Sequence, residues 1–177
     1  CCTDDVDTFI PPRARRDHLS TILEILARGE PSGQSQLFRI LNLVGERIRK
    51  RGMVLVFSDL LDETSEVVRG LAMLRKLKQE ILVFHILAPE EIELPYKGSV
   101  DFLGLESEDV LRTVPQRLRR GYREKVGSFI RTYREGTAEL GIDYALCRSN
   151  HAVEDLFREI VVARQRGRPV LMTEDLE

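Results

Sequence analysis

The stretch Met53-Val54-Leu55-Val56-Phe57-Ser58-Asp59-Leu60 decides the fold. Its apolar run from Met53 to Phe57 shows no alternation. A short run of this kind reads as a strand covered on both faces, hence a parallel sheet sandwiched by helices. Just upstream, Leu37, Ile40, Leu41, Val44 and Ile48 form one helical stripe, which ends in the basic turn Arg47–Arg51 and Gly52. Cations near the negative end of a helix dipole and a following glycine are sound C-terminal chemistry. Downstream, Asp62–Ser65 suits a helix N-terminus, Val67, Leu71 and Leu74 point inward, and Ile81–Leu87 is a second buried strand. Strand, helix and strand together make a βαβ unit.

Farther out on the N-terminal side, Cys1–Thr3 and Val6–Ile10 read as a hairpin about Asp4-Asp5, stopped by Pro11-Pro12. Arg13–Arg16 leads into a helix from Asp17 with Leu19, Ile22, Leu23 and Leu26 on one face, and Gly29–Gly33 breaks it. On the other side, residues 89–111 interrupt the βα rhythm. There Ile92–Pro95 and Val100–Leu103 alternate about Tyr96–Ser99, which predicts a small antiparallel hairpin. Pro115 to Leu140 reads as one long helix in which Gly121, Gly127 and Gly136 each cost up to about 1 kcal/mol against alanine. Ile142–Cys147 is a third strand and Ala152–Gln165 a last amphipathic helix. Val170–Met172 offers an edge strand in the following tail. The expected organisation is one α/β domain over 1–166 and a tail over 167–177.

Composition narrows the function classes. A 42% hydrophobic and 32% charged chain is too apolar for disorder, and a net charge of -2 gives no global pull toward nucleic acid or anionic membrane. Cys1, Cys2 and Cys147 form neither a disulfide framework nor a metal spacing, which points to a reducing compartment. No apolar run approaches the roughly 18–20 residues that span a bilayer. The expected location is the cytoplasm, with tethering by an upstream anchor left open.

The residues with chemical promise lie at the strand end. Ligands of open parallel sheets bind beyond the carboxyl ends of the strands, where Asp59 stands, with Asp62 and Glu63 one turn on. A carboxylate there serves a hard divalent cation or a phosphoryl group, or simply caps the next helix. Ser32-Gly33-Gln34-Ser35 opens a helix with a hydroxyl and free N–H groups, but lacks the P-loop pattern. His85, inside an apolar strand, reads as a hydrogen-bonded core residue, while His18 and His151 sit at helix starts. Two basic stretches remain, Arg13, Arg15 and Arg16 before the first helix and Arg112, Arg117, Arg119, Arg120, Arg123 and Lys125, read as a cluster on the long helix. They read first as solvated faces, and more sharply as a docking patch for an acidic protein surface.

Phe9–Arg13, Gly33–Leu37 and Arg51–Asp62, followed by Val83–Leu87, Glu93–Tyr96, Pro115, Tyr122 and Leu140–Tyr144, resemble in order and spacing the bacterial domain-of-unknown-function family 58. That resemblance implies a von Willebrand factor type A-like fold, a Rossmann-type, mostly parallel sheet with helices on both faces. It also implies a metal-ion-dependent adhesion site with three parts: an Asp-x-Ser-x-Ser loop, a helix-opening hydroxyl that Ser35 matches, and an aspartate that Asp59 matches. No Asp-x-Ser-x-Ser occurs here. By family order that loop and the first strand lie upstream of Cys1, so the expectation is an N-terminally truncated domain with an incomplete Mg²⁺ site. The family looks like a non-catalytic partner of MoxR-type AAA+ ATPases that assembles or activates other proteins.

Three readings follow. The first is a binding module that docks a protein through a metal at Ser35 and Asp59. The second is a Mg²⁺-dependent phosphoryl-transfer or hydrolase domain using Asp59 and Asp62. The third is a scaffold with a vestigial metal site.

Overall fold

The computed structural model describes residues 10, 17–28, 36–104, 109–166 and 170–172, the last two by backbone alone. The hairpin expected over 1–10, the lead-in at 11–16, the turn at 29–35 and the end of the tail lie outside them, and Ser35 lies outside with the turn.

In chain order the elements are α1 (Asp17–Arg28), α2 (Leu37–Arg47), β1 (Met53–Ser58), α3 (Thr64–Lys76), β2 (Glu80–Leu87), α4 (Pro89–Glu93), β3 (Val100–Leu103), β4 (Val110–Thr113), α5 (Pro115–Glu139), β5 (Asp143–Arg148), α6 (Val153–Gln165) and β6 (Leu171–Met172). β1, β2, β5 and β6 form a parallel sheet in the order β1-β2-β5-β6, and β3 pairs antiparallel with β4.

Side chains of the central strands alternate between two layers, as the pleat requires. Ile81, Val83 and Leu87 of β2, with Tyr144 and Leu146 of β5 and Val56 of β1, face the main core built by α2, α3 and α5. Leu82, Phe84, Ala145 and Cys147 face the other side, where Ile160 of α6 covers them. The mixed α/β expectation, with helices on both faces, therefore holds. Asp143 ties that second layer down: its Oδ2 accepts from Arg164 at 2.6 and 2.9 Å, and its Oδ1 accepts from the Val170 N–H at 3.0 Å.

Three expectations are corrected. Among the described residues β1 is the last strand of its sheet and is covered on one face only: Val56 is buried, whereas Met53, Leu55 and Phe57 are 52%, 46% and 56% exposed. An unbroken apolar run says that a strand can be covered twice, not that something covers it. Next, Ile92–Pro95 is no strand, because Pro89–Glu93 is a helical turn. Pro89 supplies the fixed φ of a first helical residue, and the Glu91 carboxylate accepts the Ala88 N–H at 2.6 Å. The antiparallel pair exists, but Val100–Leu103 takes Val110–Thr113 as its partner. Finally, the apolar stripe of α1 buries none of its residues: Leu19, Leu23 and Leu26 are all more than half exposed.

Candidate functional site

Asp59 leaves the carboxyl end of β1, as the sequence placed it. The chain turns sharply there. Leu60 takes a left-handed φ of 57°, which a bulky side chain tolerates only when the surroundings over-determine it. They do: Leu60 is 1% exposed in the core, its N–H donates to Ser58 Oγ at 3.0 Å, and its carbonyl accepts from the Tyr133 hydroxyl at 3.0 Å. Asp59 Oδ1 then accepts the Leu61 N–H at 3.3 Å, an Asx turn that holds the carboxylate in place while it stays exposed.

Beneath this turn lies a buried aromatic cluster. His85 is paired in register with Ser58 and is wholly buried. Its Nδ1 lies 2.6 Å from the Tyr144 hydroxyl, and its ring sits edge-on to Phe129, Tyr133 and Tyr144. Burial lowers the His85 pKa to about 4, with the main chain and charge of Asp59 opposing in part. The imidazole is therefore neutral near pH 7. Burial likewise pushes Tyr133 up to about 12, so its hydroxyl keeps the proton that it donates to Leu60. The sequence reading of His85 as a hydrogen-bonded core residue holds at Nδ1, its buried Nε2 has no hydrogen-bond partner among the described residues, and its position under Asp59 is new.

Asp62 has a separate task. Its Oδ2 accepts the Leu37 N–H at 2.8 Å, capping α2 across 25 residues of sequence. The segment that opens α2 is thereby fastened to the strand-end loop. Glu63 Oε1 accepts from the Ser65 hydroxyl at 3.2 Å. No group of three or more His, Cys, Asp or Glu side chains able to hold a metal occurs among the described residues. A hard divalent cation takes six or more oxygen donors. Asp59 suits one of them by chemistry and exposure, and the described residues do not complete the set.

The basic run of the long helix is only partly a solvated face. Arg119 donates to the Leu94 and Tyr96 carbonyls, both at 2.8 Å, and Tyr122 donates to the Glu91 carbonyl at 2.6 Å, so α5 carries the α4 turn. A groove of about 600 Å³ runs beside them, lined by Ile92, Arg120, Arg123, Val126, Gly127 and Arg131 among others. Sequence reasoning missed the groove because it depends on α4, which read as a strand.

No helix among the described residues is long and apolar enough to cross a membrane. No curated protein matches the chain. Two crystal structures are similar to the chain, the first of them in fold. One is of an aerotolerance-related membrane protein from Bacteroides fragilis NCTC 9343 with multiple mutations to serines; its TM-score is 0.51 at 13% identity, over 85% of this chain and 70% of that one. The other is of the conserved hypothetical protein BatB from Bacteroides thetaiotaomicron, with a TM-score of 0.45 at 13% identity, over 84% and 70%. The profile of one family matches residues 1–128, well over half of the chain. The chain thus belongs to the family described as protein of unknown function DUF58.

Proposed function

We propose that this chain is a non-catalytic binding module of von Willebrand factor type A-like fold. In this reading Ser35 and Asp59 donate oxygens to a Mg²⁺ ion or another divalent cation, and a carboxylate of a protein partner completes the shell. The partner system is a MoxR-type AAA+ ATPase, and the task is protein assembly or activation. One observation carries the reading: the Asp62 cap on the Leu37 N–H fastens the residues just after Ser35 to the loop that bears Asp59. The exposed Asp59 carboxylate, held by its Asx turn, supports it. Asp62 already spends one oxygen on the helix cap, which favours binding over a catalytic Asp59/Asp62 pair.

Size-exclusion chromatography of the chain with a purified MoxR-type ATPase tests this. Co-elution is expected in Mg²⁺ and is expected to vanish with EDTA or with Asp59→Ala. Co-elution that persists in EDTA would overturn the metal bridge. Phosphatase turnover in Mg²⁺ that Asp59→Ala abolishes would overturn the non-catalytic reading.

A further inference from the structure

The groove between α4 and α5 is distinct from the strand-end carboxylate, and its charge is unbalanced. Arg120 donates to Glu124 at 3.0 Å and is neutralised locally. Arg119 meets only main-chain carbonyls, which leave its charge uncompensated. Arg123 and Arg131 make no hydrogen bond or ion pair with a described residue. Three guanidiniums thus line one concavity without a carboxylate partner among the described residues, since the Glu124 carboxylate in the lining is taken by Arg120, although exposed arginines elsewhere on the chain, such as Arg51, Arg69 and Arg158, do hold one.

The floor matters as much as the charge. Ile92 and Val126 make it apolar, and a Cβ built on Gly127 would meet nothing within 4 Å. No neighbour forces glycine there, yet glycine costs a helix interior up to about 1 kcal/mol. Its effect is an open notch in the part of the helix that lines the groove. Along α5 the backbone positions of Arg123 and Arg131 are separated by about 12 Å, at 1.5 Å per residue. Acidic side chains four residues apart on an extended chain share a face and match that separation, at about 3.3 Å per residue.

We propose that the α4–α5 groove binds an extended acidic peptide segment of a partner protein, its carboxylates on Arg119, Arg123 and Arg131 and a small apolar residue between them over Gly127. Arginine forks suit carboxylates bidentately. Single-stranded nucleic acid fits less well, because no aromatic ring lines the groove for base stacking.

Fluorescence anisotropy of the full chain with a labelled peptide of repeated Glu-Ser-Ala-Ser tests the proposal, with a Lys-Ser-Ala-Ser peptide and a single-stranded DNA oligonucleotide alongside. Saturable, salt-sensitive binding of the acidic peptide is expected, weakened about tenfold or more by the double change Arg123→Glu and Arg131→Glu. Gly127→Leu, which fills the notch without changing charge, is expected to weaken it as well, while Arg117→Glu outside the groove leaves it unchanged. EDTA and Asp59→Ala are expected to have no effect, which separates this surface from the metal-bridged reading. Equal loss from Arg117→Glu, tighter binding of the DNA, or no peptide binding would each overturn the proposal.

Discussion

Cys147 shows how far one buried side chain can be read. It is 8% exposed, its Sγ contacts the Ala145 carbonyl at 3.4 Å, and burial raises its pKa to about 11. The thiolate is the nucleophile, so two units above an ordinary thiol lowers the reactive fraction at pH 8 about a hundredfold, before access is considered. Native Cys147 should therefore resist iodoacetamide at pH 8 and react fully in guanidinium, as mass spectrometry of the peptide that contains it would report. Rapid native labelling would mean that α6 lifts from the sheet. His85 is the contrasting residue. An apolar strand around a histidine announces a core position, and that much was legible. Its Tyr144 partner was not, because the contact bridges 59 residues and depends on strand register.

Among the elements, α2 and α3 cross closely because small residues let them. A Cβ on Gly70 would lie 2.9 Å from Leu41 Cδ1 and 3.2 Å from Leu41 Cβ, and one on Gly45 would press on Met73. Gly121 of α5 meets nothing within 4 Å. Two glycines in two helices thus have opposite expectations. Gly121→Ala should stabilise by about 0.5–1 kcal/mol, the ordinary helix-propensity gain. Gly70→Val should destabilise by about 1–3 kcal/mol, since overpacking must move Leu41 and Phe38. Denaturant midpoints of the two variants check the pair, and a stabilised Gly70→Val would show that the helices have room to separate. Element existence was legible wherever an apolar period ran long, as in α2, α3, α5 and α6. It failed at Ile92–Pro95, where four residues fit a strand and a helical turn equally. The signals that decide were present in Pro89 and Glu91, at the N-terminus of the turn rather than in its pattern. Of the candidate site, the position of Asp59 followed from the run before it. The link from Asp62 to Leu37 did not, since a cap across 25 residues leaves no local trace.

At the scale of the molecule, the edge at β1 governs solution behaviour. Met53, Leu55 and Phe57 are exposed on the face that α6 leaves open, and the Phe57 ring stacks on Phe84 with centroids 4.4 Å apart, so the patch is continuous with the second core. The opposite edge of the sheet is the two-residue strand β6, whereas β1 is a full six-residue strand with no second strand neighbour among the described residues. An unpaired parallel edge beside an apolar face is a template for association, and charge is the common natural remedy. None of the residues from Met53 to Ser58 is charged. The chain expressed as it stands should therefore associate with increasing concentration. Leu55→Lys, on an already exposed position, should shift it toward monomer with little loss of stability. Sedimentation velocity across a concentration series distinguishes the outcomes. A chain that remains monomeric throughout, with Leu55→Lys no different, would mean that this face is covered in solution. In that case the α1 helix, which carries an unburied apolar stripe in Leu19, Leu23 and Leu26, is an element of this chain to test for covering it. Leu23→Lys would then expose the patch and restore association, whereas it should change nothing if the face is open from the start.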